Sequence, residues 1–141
     1  MEPYLITTHA EYDLAKERGY EPLDDRRFAM DIWLRVAVQR ELFGTGHTPE
    51  ENEKFYRFCW RHKAHRCEEC MRPLSEYSAV YVSHILTRGA HPEMAHDPRN
   101  VNILCFKHHS EWENGNRKNM RIYESNILKI EDLKKEYGGI D

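Results

Sequence analysis

Cys67-Glu68-Glu69-Cys70 and, after an insert of 34 residues, Cys105-Phe106-Lys107-His108 are the stretches whose reading decides the fold. Each closes a tight turn with two soft donors. Three thiolates and one imidazole make the set that a tetrahedral structural zinc requires. A redox pair or spare thiols at Cys67 and Cys70 is the competing reading, and the matching second half-site weighs against it. Cys59 sits beside Phe55 and Phe58 on the apolar side of a helical pattern and reads as a small core residue.

The insert alternates rather than repeating every three or four residues. Residues 78–86 place Val80, Val82 and Ile85 among β-favouring neighbours, and 101–104 form a second short β-like run, with Gly89, Pro92 and Pro98 marking a loop between. Residues 108–113 lack breakers until Asn114 and Gly115, which predicts a short helix. The order is therefore strand, long loop, strand, helix, fastened at its base by the zinc ligands.

Outward from this core the pattern is helical. Thr8 and Glu11 have capping-box spacing ahead of an apolar run that stops at Gly19. Asp24 or Asp25 is placed to cap a helix through Phe28, Ile32, Val36 and Leu42, ended by Gly44 and Gly46. Thr48, Pro49 and Glu51 supply an N-cap, a first-turn proline and a capping-box acid for a helix over 50–65. A charged helix over 127–137 closes the chain, ended by Gly138 and Gly139. The expectation is an α+β fold: a helical extension (1–56), a core (57–121) and a C-terminal helix (122–141), forming one unit.

The net charge of −3 argues against a nucleic-acid partner until it is divided. Residues 57–121 carry +4, against −5 for 1–56 and −2 for 122–141. A locally basic site on an acidic protein has this asymmetry, although a solvated face produces it too. No stretch has the apolar length of a membrane span and no apolar run follows the N-terminus, so the expectation is a cytoplasmic protein without membrane contact.

Inside the insert lie Val82-Ser83-His84-Ile85-Leu86, Asp97-Pro98-Arg99-Asn100 and Leu104-Cys105-Phe106-Lys107-His108-His109. With the preceding Cys-x-x-Cys, this set resembles the HNH endonuclease family in its zinc-bearing, ββα-metal form. His84, Asn100 and His109 fall on that family's three motif positions, and the resemblance covers about a third of the chain. It implies a metal-dependent endonuclease or nickase acting on DNA, double-stranded by expectation. His84 would be the general base, Asn100 the residue positioning it, and His109 a ligand of a catalytic Mg2+, Mn2+ or Ni2+, with zinc at Cys67, Cys70, Cys105 and His108 purely structural.

One departure matters. Many members carry an Asp immediately before the first His as a cation ligand, where this chain has Ser83. Glu113, four residues after His109 and on the same helix face, is the leading replacement, with His91 next and His96 and Asp97 also in reach; colicin-type relatives place a His there. Arg88, Arg99 and Lys107, with Arg117 and Lys118, are the candidate phosphate contacts.

Blander readings stand beside these. Asn100 serves as well to cap a turn, Asn102 competes for its role, and a lone strand histidine is ordinarily a satisfied core residue. A catalytically inactive DNA- or protein-binding module is the alternative, as is a zinc-stabilised interaction domain. Small chains of this kind look like phage or mobile-element products, which implies a bacterial or phage-infected host cell. The acidic N-terminal helices suit a protein partner or a homodimer through Phe28, Ile32 and Val36.

Overall fold

A two-stranded antiparallel sheet and the helix that follows it form the centre of the structure, a computed structural model that describes residues 3–5, 27–29 and 32–138. The elements run β1 (Pro3–Leu5), β2 (Arg27–Ala29), α1 (Ile32–Phe43), α2 (Pro49–His62), β3 (Val82–His84), β4 (Val101–Ile103), α3 (Phe106–Asn114) and α4 (Tyr123–Tyr137). Short 3-10 turns occupy Ala79–Tyr81, Pro92–Met94, Pro98–Asn100 and Arg117–Asn119. The fold is mixed helix and sheet, in keeping with α+β. Among the described residues no helix is long and apolar enough to cross a membrane.

The N-terminal part departs from the all-helical expectation. The cap at Thr8 and Glu11 lies outside the described residues. Phe28 is not in a helix: β2 pairs antiparallel with β1, Tyr4 opposite Phe28, and helix begins only at Ile32. A strand partner more than twenty residues away overrides the local helical pattern. Phe28, Ile32 and Val36 therefore do not share a helix face, and Val36 packs against the buried cluster of Met94, Leu133 and Tyr137 within the same chain.

Helix α2 starts where its sequence dictates. The Thr48 hydroxyl accepts from the Glu51 backbone N–H at 3.2 Å, and the Glu51 carboxylate accepts from Thr48 N at 3.0 Å and Gly46 N at 3.1 Å, completing the capping box. Asn52, Phe55 and Cys59 form its buried side, so Cys59 is the core thiol expected. The helix ends at His62, a few residues short of the predicted 65.

Strand β3 lies antiparallel to β4 with Val82 opposite Ile103, Ser83 opposite Asn102 and His84 opposite Val101. Strands of three residues cannot hold themselves together, and their stability comes from what covers them. Val101 and Ile103 of β4 pack with Phe55, Ile85, Leu104 and Trp112, each no more than 2% exposed. The Trp112 indole N–H donates to the Ile85 carbonyl at 3.1 Å, locking α3 to the end of β3. Residues 78–81, expected as strand, instead turn through a 3-10 helix capped by Ser78.

Helix α4 begins at Tyr123, four residues earlier than expected, and is fixed by a polar knot. The Asp97 carboxylate, with no exposed surface, accepts from Arg99 Nη2 at 2.7 Å, from Arg99 Nε at 3.1 Å and from the Tyr137 hydroxyl at 2.9 Å. Arg99 Nη1 reaches Glu136 at 2.5 Å, and Gln39 of α1 donates to the Tyr137 hydroxyl at 3.2 Å. Burial alone would push the Asp97 carboxyl upward, but the Arg99 guanidinium and the hydrogen bonds hold it below the usual carboxylate range.

Candidate functional site

The zinc-type ligands converge. Residues 66–73 form a knuckle in which Arg66 bridges Pro73, Met71 N–H donates to the Cys67 carbonyl at 2.8 Å and Cys67 N–H donates to the Arg72 carbonyl at 2.9 Å. Met71 turns the chain through φ 63°, a left-handed conformation. Opposite it, Cys105 caps α3 and His108 sits in that helix's first turn. The four donor atoms of Cys67, Cys70, Cys105 and His108 all lie within 4.8 Å of one another. His108 Nδ1 is 3.6 Å from Cys67 Sγ and 3.2 Å from Cys105 Sγ. A tetrahedral ion bonded at about 2.3 Å to sulfur and about 2.0 Å to nitrogen requires edges of roughly 3.5 Å, so the residues fit a metal such as zinc. The Arg72 backbone N–H, the largest influence on Cys70, helps hold that thiol below its ordinary range.

Glu68 and Asn102 tie the knuckle to the sheet. The Glu68 carboxylate accepts from Asn102 Nδ2 at 3.0 Å and from the Ile103 N–H, while Asn102 Oδ1 accepts from Asn126 of α4 at 2.7 Å. Asn102 is thereby committed to structure and does not share the role expected of Asn100. Ser83, opposite Asn102, is 1% exposed, and its Oγ has no hydrogen-bond partner among the described residues. A hydroxyl enclosed in this way is not open to a solvated cation.

His84 is 8% exposed. Its Nε2 lies 2.8 Å from the Ala95 carbonyl, which can only accept, so Nε2 carries the proton and Nδ1 keeps the lone pair. Phe55 stacks on the ring at 5.9 Å between centroids, and Tyr56 meets it edge-on at 6.0 Å. Burial is the main cause that pushes the His84 pKa below its ordinary value, with Arg88 and His109 adding to the depression and the Ala95 carbonyl and Glu113 opposing it.

Asn100, wholly buried, works on the backbone rather than on the ring. Its Oδ1 accepts from Leu86 N–H at 2.8 Å and its Nδ2 donates to the Leu86 carbonyl at 2.9 Å and the Met94 carbonyl at 3.3 Å. Met94 precedes Ala95, so Asn100 bonds the chain one residue before the carbonyl that meets His84 Nε2. The reach to His84 is one step longer than expected.

His109 and Glu113 stand one turn apart on α3 with Nε2 and Oε1 2.9 Å from each other. His109 Nδ1 donates to the Val80 carbonyl, which leaves Nε2 as an acceptor facing a carboxylate. Two acceptors at that distance need a proton or a cation between them. The separation equals the cis edge of octahedral coordination at about 2.1 Å, roughly 3 Å.

The other expected ligands are engaged elsewhere. His91 lies 3.3 Å from Glu93 in a surface turn. His96 is buried with its Nε2–H donating to Asn52 Oδ1 at 2.8 Å, and Asp97 belongs to the Arg99 knot. Among the described residues, the Cys67 cluster is the one group of three or more such ligands close enough to share an ion. Of the candidate phosphate contacts, Arg99 is spent on Asp97 and Glu136, and Arg117 lies 4.6 Å over the Trp112 ring. Arg88 is exposed with its guanidinium 5.8 Å from the Tyr56 ring centroid, and Lys107 and Lys118 are exposed. Sequence reading missed the Phe55 and Tyr56 wall from α2 and the carbonyls of Ala95 and Val80. Backbone acceptors leave no mark in a sequence, and the aromatic pair reads there as ordinary helix core.

Compared with protein families, curated proteins and solved structures, the chain matches none.

Two buried neutral histidines predict a pH-dependent stability. Burial, aided by the charges of His47 and His84, pushes His96 down to about 4. Below about pH 6.5 the unfolded chain takes up protons that the folded chain refuses, and the folded His96 accepts its own only near 4. Stability is therefore whole above that range and lost as pH falls through it, at up to about 1.4 kcal/mol per pH unit for each histidine. His84 acts in the same direction. Urea midpoints should be lower at about pH 5 than at about pH 7, and His96→Gln should flatten the difference; equal midpoints in the wild type would contradict the burial argument.

Proposed function

We propose that this chain is a metal-dependent endonuclease or nickase of the HNH kind, hydrolysing DNA phosphodiesters with His84 as general base. The observation that carries the reading is the tautomer of His84. With Nε2 bound to the Ala95 carbonyl, Nδ1 is left as a neutral base, and His109 and Glu113 form a ligand pair on α3. In the reaction a water oxygen bonds to phosphorus, its proton passes to His84 Nδ1, and the bond from phosphorus to the 3′ oxygen breaks. His109 and Glu113 would hold a divalent cation whose charge supplies stabilisation at the leaving oxygen. Asn100 and Ala95 keep the base aligned, and the zinc ligands hold hairpin and helix at a fixed angle.

A supercoiled plasmid tests this. Nicked or linear product should form only with added magnesium, manganese or nickel, under conditions that leave zinc bound. No product with any metal would end the nuclease reading. The second reading, a binding module without turnover, draws on the enclosure of Ser83 and on a cation pair of only two protein ligands. It expects one tight zinc and no weaker divalent site.

A further inference from the structure

The surface around His109 is not the purely basic face that a duplex backbone calls for. Of the 11 Lys and Arg in residues 57–121, Arg99 is paired with Asp97 and Glu136, and Arg57 with Glu53 at 2.9 Å. Arg88 and Lys107 are exposed and form no ion pair among the described residues. Beside them stands apolar surface. Phe106 is 68% exposed and Val80, whose carbonyl accepts from His109 Nδ1–H, is 40% exposed. Phe106, His109, Ser110 and Glu113 are spaced three, four and seven residues apart, which puts the phenylalanine ring on the helix face that carries the cation pair. A ring left two-thirds in water does little for the fold. Scattered exposed side chains are ordinary, but this one borders the candidate site, next to a lysine that has no acidic partner among the described residues.

The parts of a nucleic acid that an aromatic ring can hold are its bases, and these are open only where the strand is unpaired. We propose, resting on the nuclease reading above, that the chain acts on an unpaired DNA strand, one base stacking on Phe106 while Lys107 and Arg88 hold neighbouring phosphates. Two such cations predict a weak salt dependence, a slope of about −1.4 in log affinity against log salt.

Binding of the full zinc-loaded chain, without added divalent cation, to a fluorescein-labelled single strand and to the same sequence annealed to its complement tests the proposal. The single strand should bind more tightly. Phe106→Ala should weaken that binding about tenfold and leave duplex binding and the melting temperature unchanged, while Phe106→Tyr should retain it. A duplex bound as tightly as the single strand, or a Phe106→Ala variant that binds the strand like wild type, overturns it. Plasmid cutting with no preference for the unpaired strand would overturn this inference and spare the nuclease. Strand binding through Phe106 without cutting in any metal would do the reverse.

Discussion

Serine in place of Cys67, or removal of the bound metal with a tight chelator, is expected to unfold the β3–β4–α3 unit and not merely to empty a site. The strands are three residues each, and the knuckle reaches them through Glu68: its N–H donates to the Ile103 carbonyl at 2.8 Å, and its carboxylate accepts from Asn102 Nδ2 and the Ile103 N–H. Structural zinc in small domains carries an apparent binding free energy of about 10–16 kcal/mol, comparable with the whole stability of a domain this size, about 5–15 kcal/mol. Cys67 is fully buried, so the variant also encloses a hydroxyl with no thiolate-like role.

Cys59→Ser separates the two costs. That thiol is 1% exposed but stands outside the ligand cluster, so it reports the penalty of a buried hydroxyl alone, about 1–3 kcal/mol. Circular dichroism and metal content measured together should show Cys67→Ser unfolded and metal-poor and Cys59→Ser folded with its metal. If Cys67→Ser kept one tightly bound metal and a cooperative melt, the cluster would not be the fastening of this fold.

What the sequence disclosed and what it hid divide along the reach of the forces involved. The Thr48-Pro49-Glu51 cap could be read because a capping box is local, closing within four residues. The Cys67 and Cys105 half-sites could be read because ligand spacing is a short-range constraint of the same kind. Phe28 was misplaced because strand pairing with Tyr4 is not local, and helical periodicity carried the decision in its absence. Arg99 looked like a phosphate contact because Asp97 is two residues away but Glu136 and Tyr137 are 37 and 40 residues from their partners. His84, Asn100 and His109 were visible as positions, while their working contacts were not. The Ala95 carbonyl sets one tautomer and the Val80 carbonyl the other, and Ser83 proved to point into the interior rather than toward a cation.

Replacing His84 is expected to lower plasmid cleavage by about 10²–10⁴, the usual worth of a general base. His84→Ala is an imperfect instrument. The ring fills the space between Phe55 and Ala95, and removing it leaves the Ala95 carbonyl unbonded, at about 1–3 kcal/mol. His84→Gln answers this, because its amide can still donate to that carbonyl but offers no basic nitrogen in place of Nδ1. Both variants should keep zinc and lose cutting. Only the alanine should also lose appreciable stability. The wild-type rate should fall on the acid side with an apparent pKa below the ordinary 6.5, since burial favours the neutral ring, so activity persists further into acid than a solvent-exposed histidine would allow. A glutamine variant that cuts like wild type would show that the proton goes elsewhere. One that binds DNA normally, keeps its fold and does not cut would place the loss at Nδ1, the nitrogen that the Ala95 carbonyl leaves free.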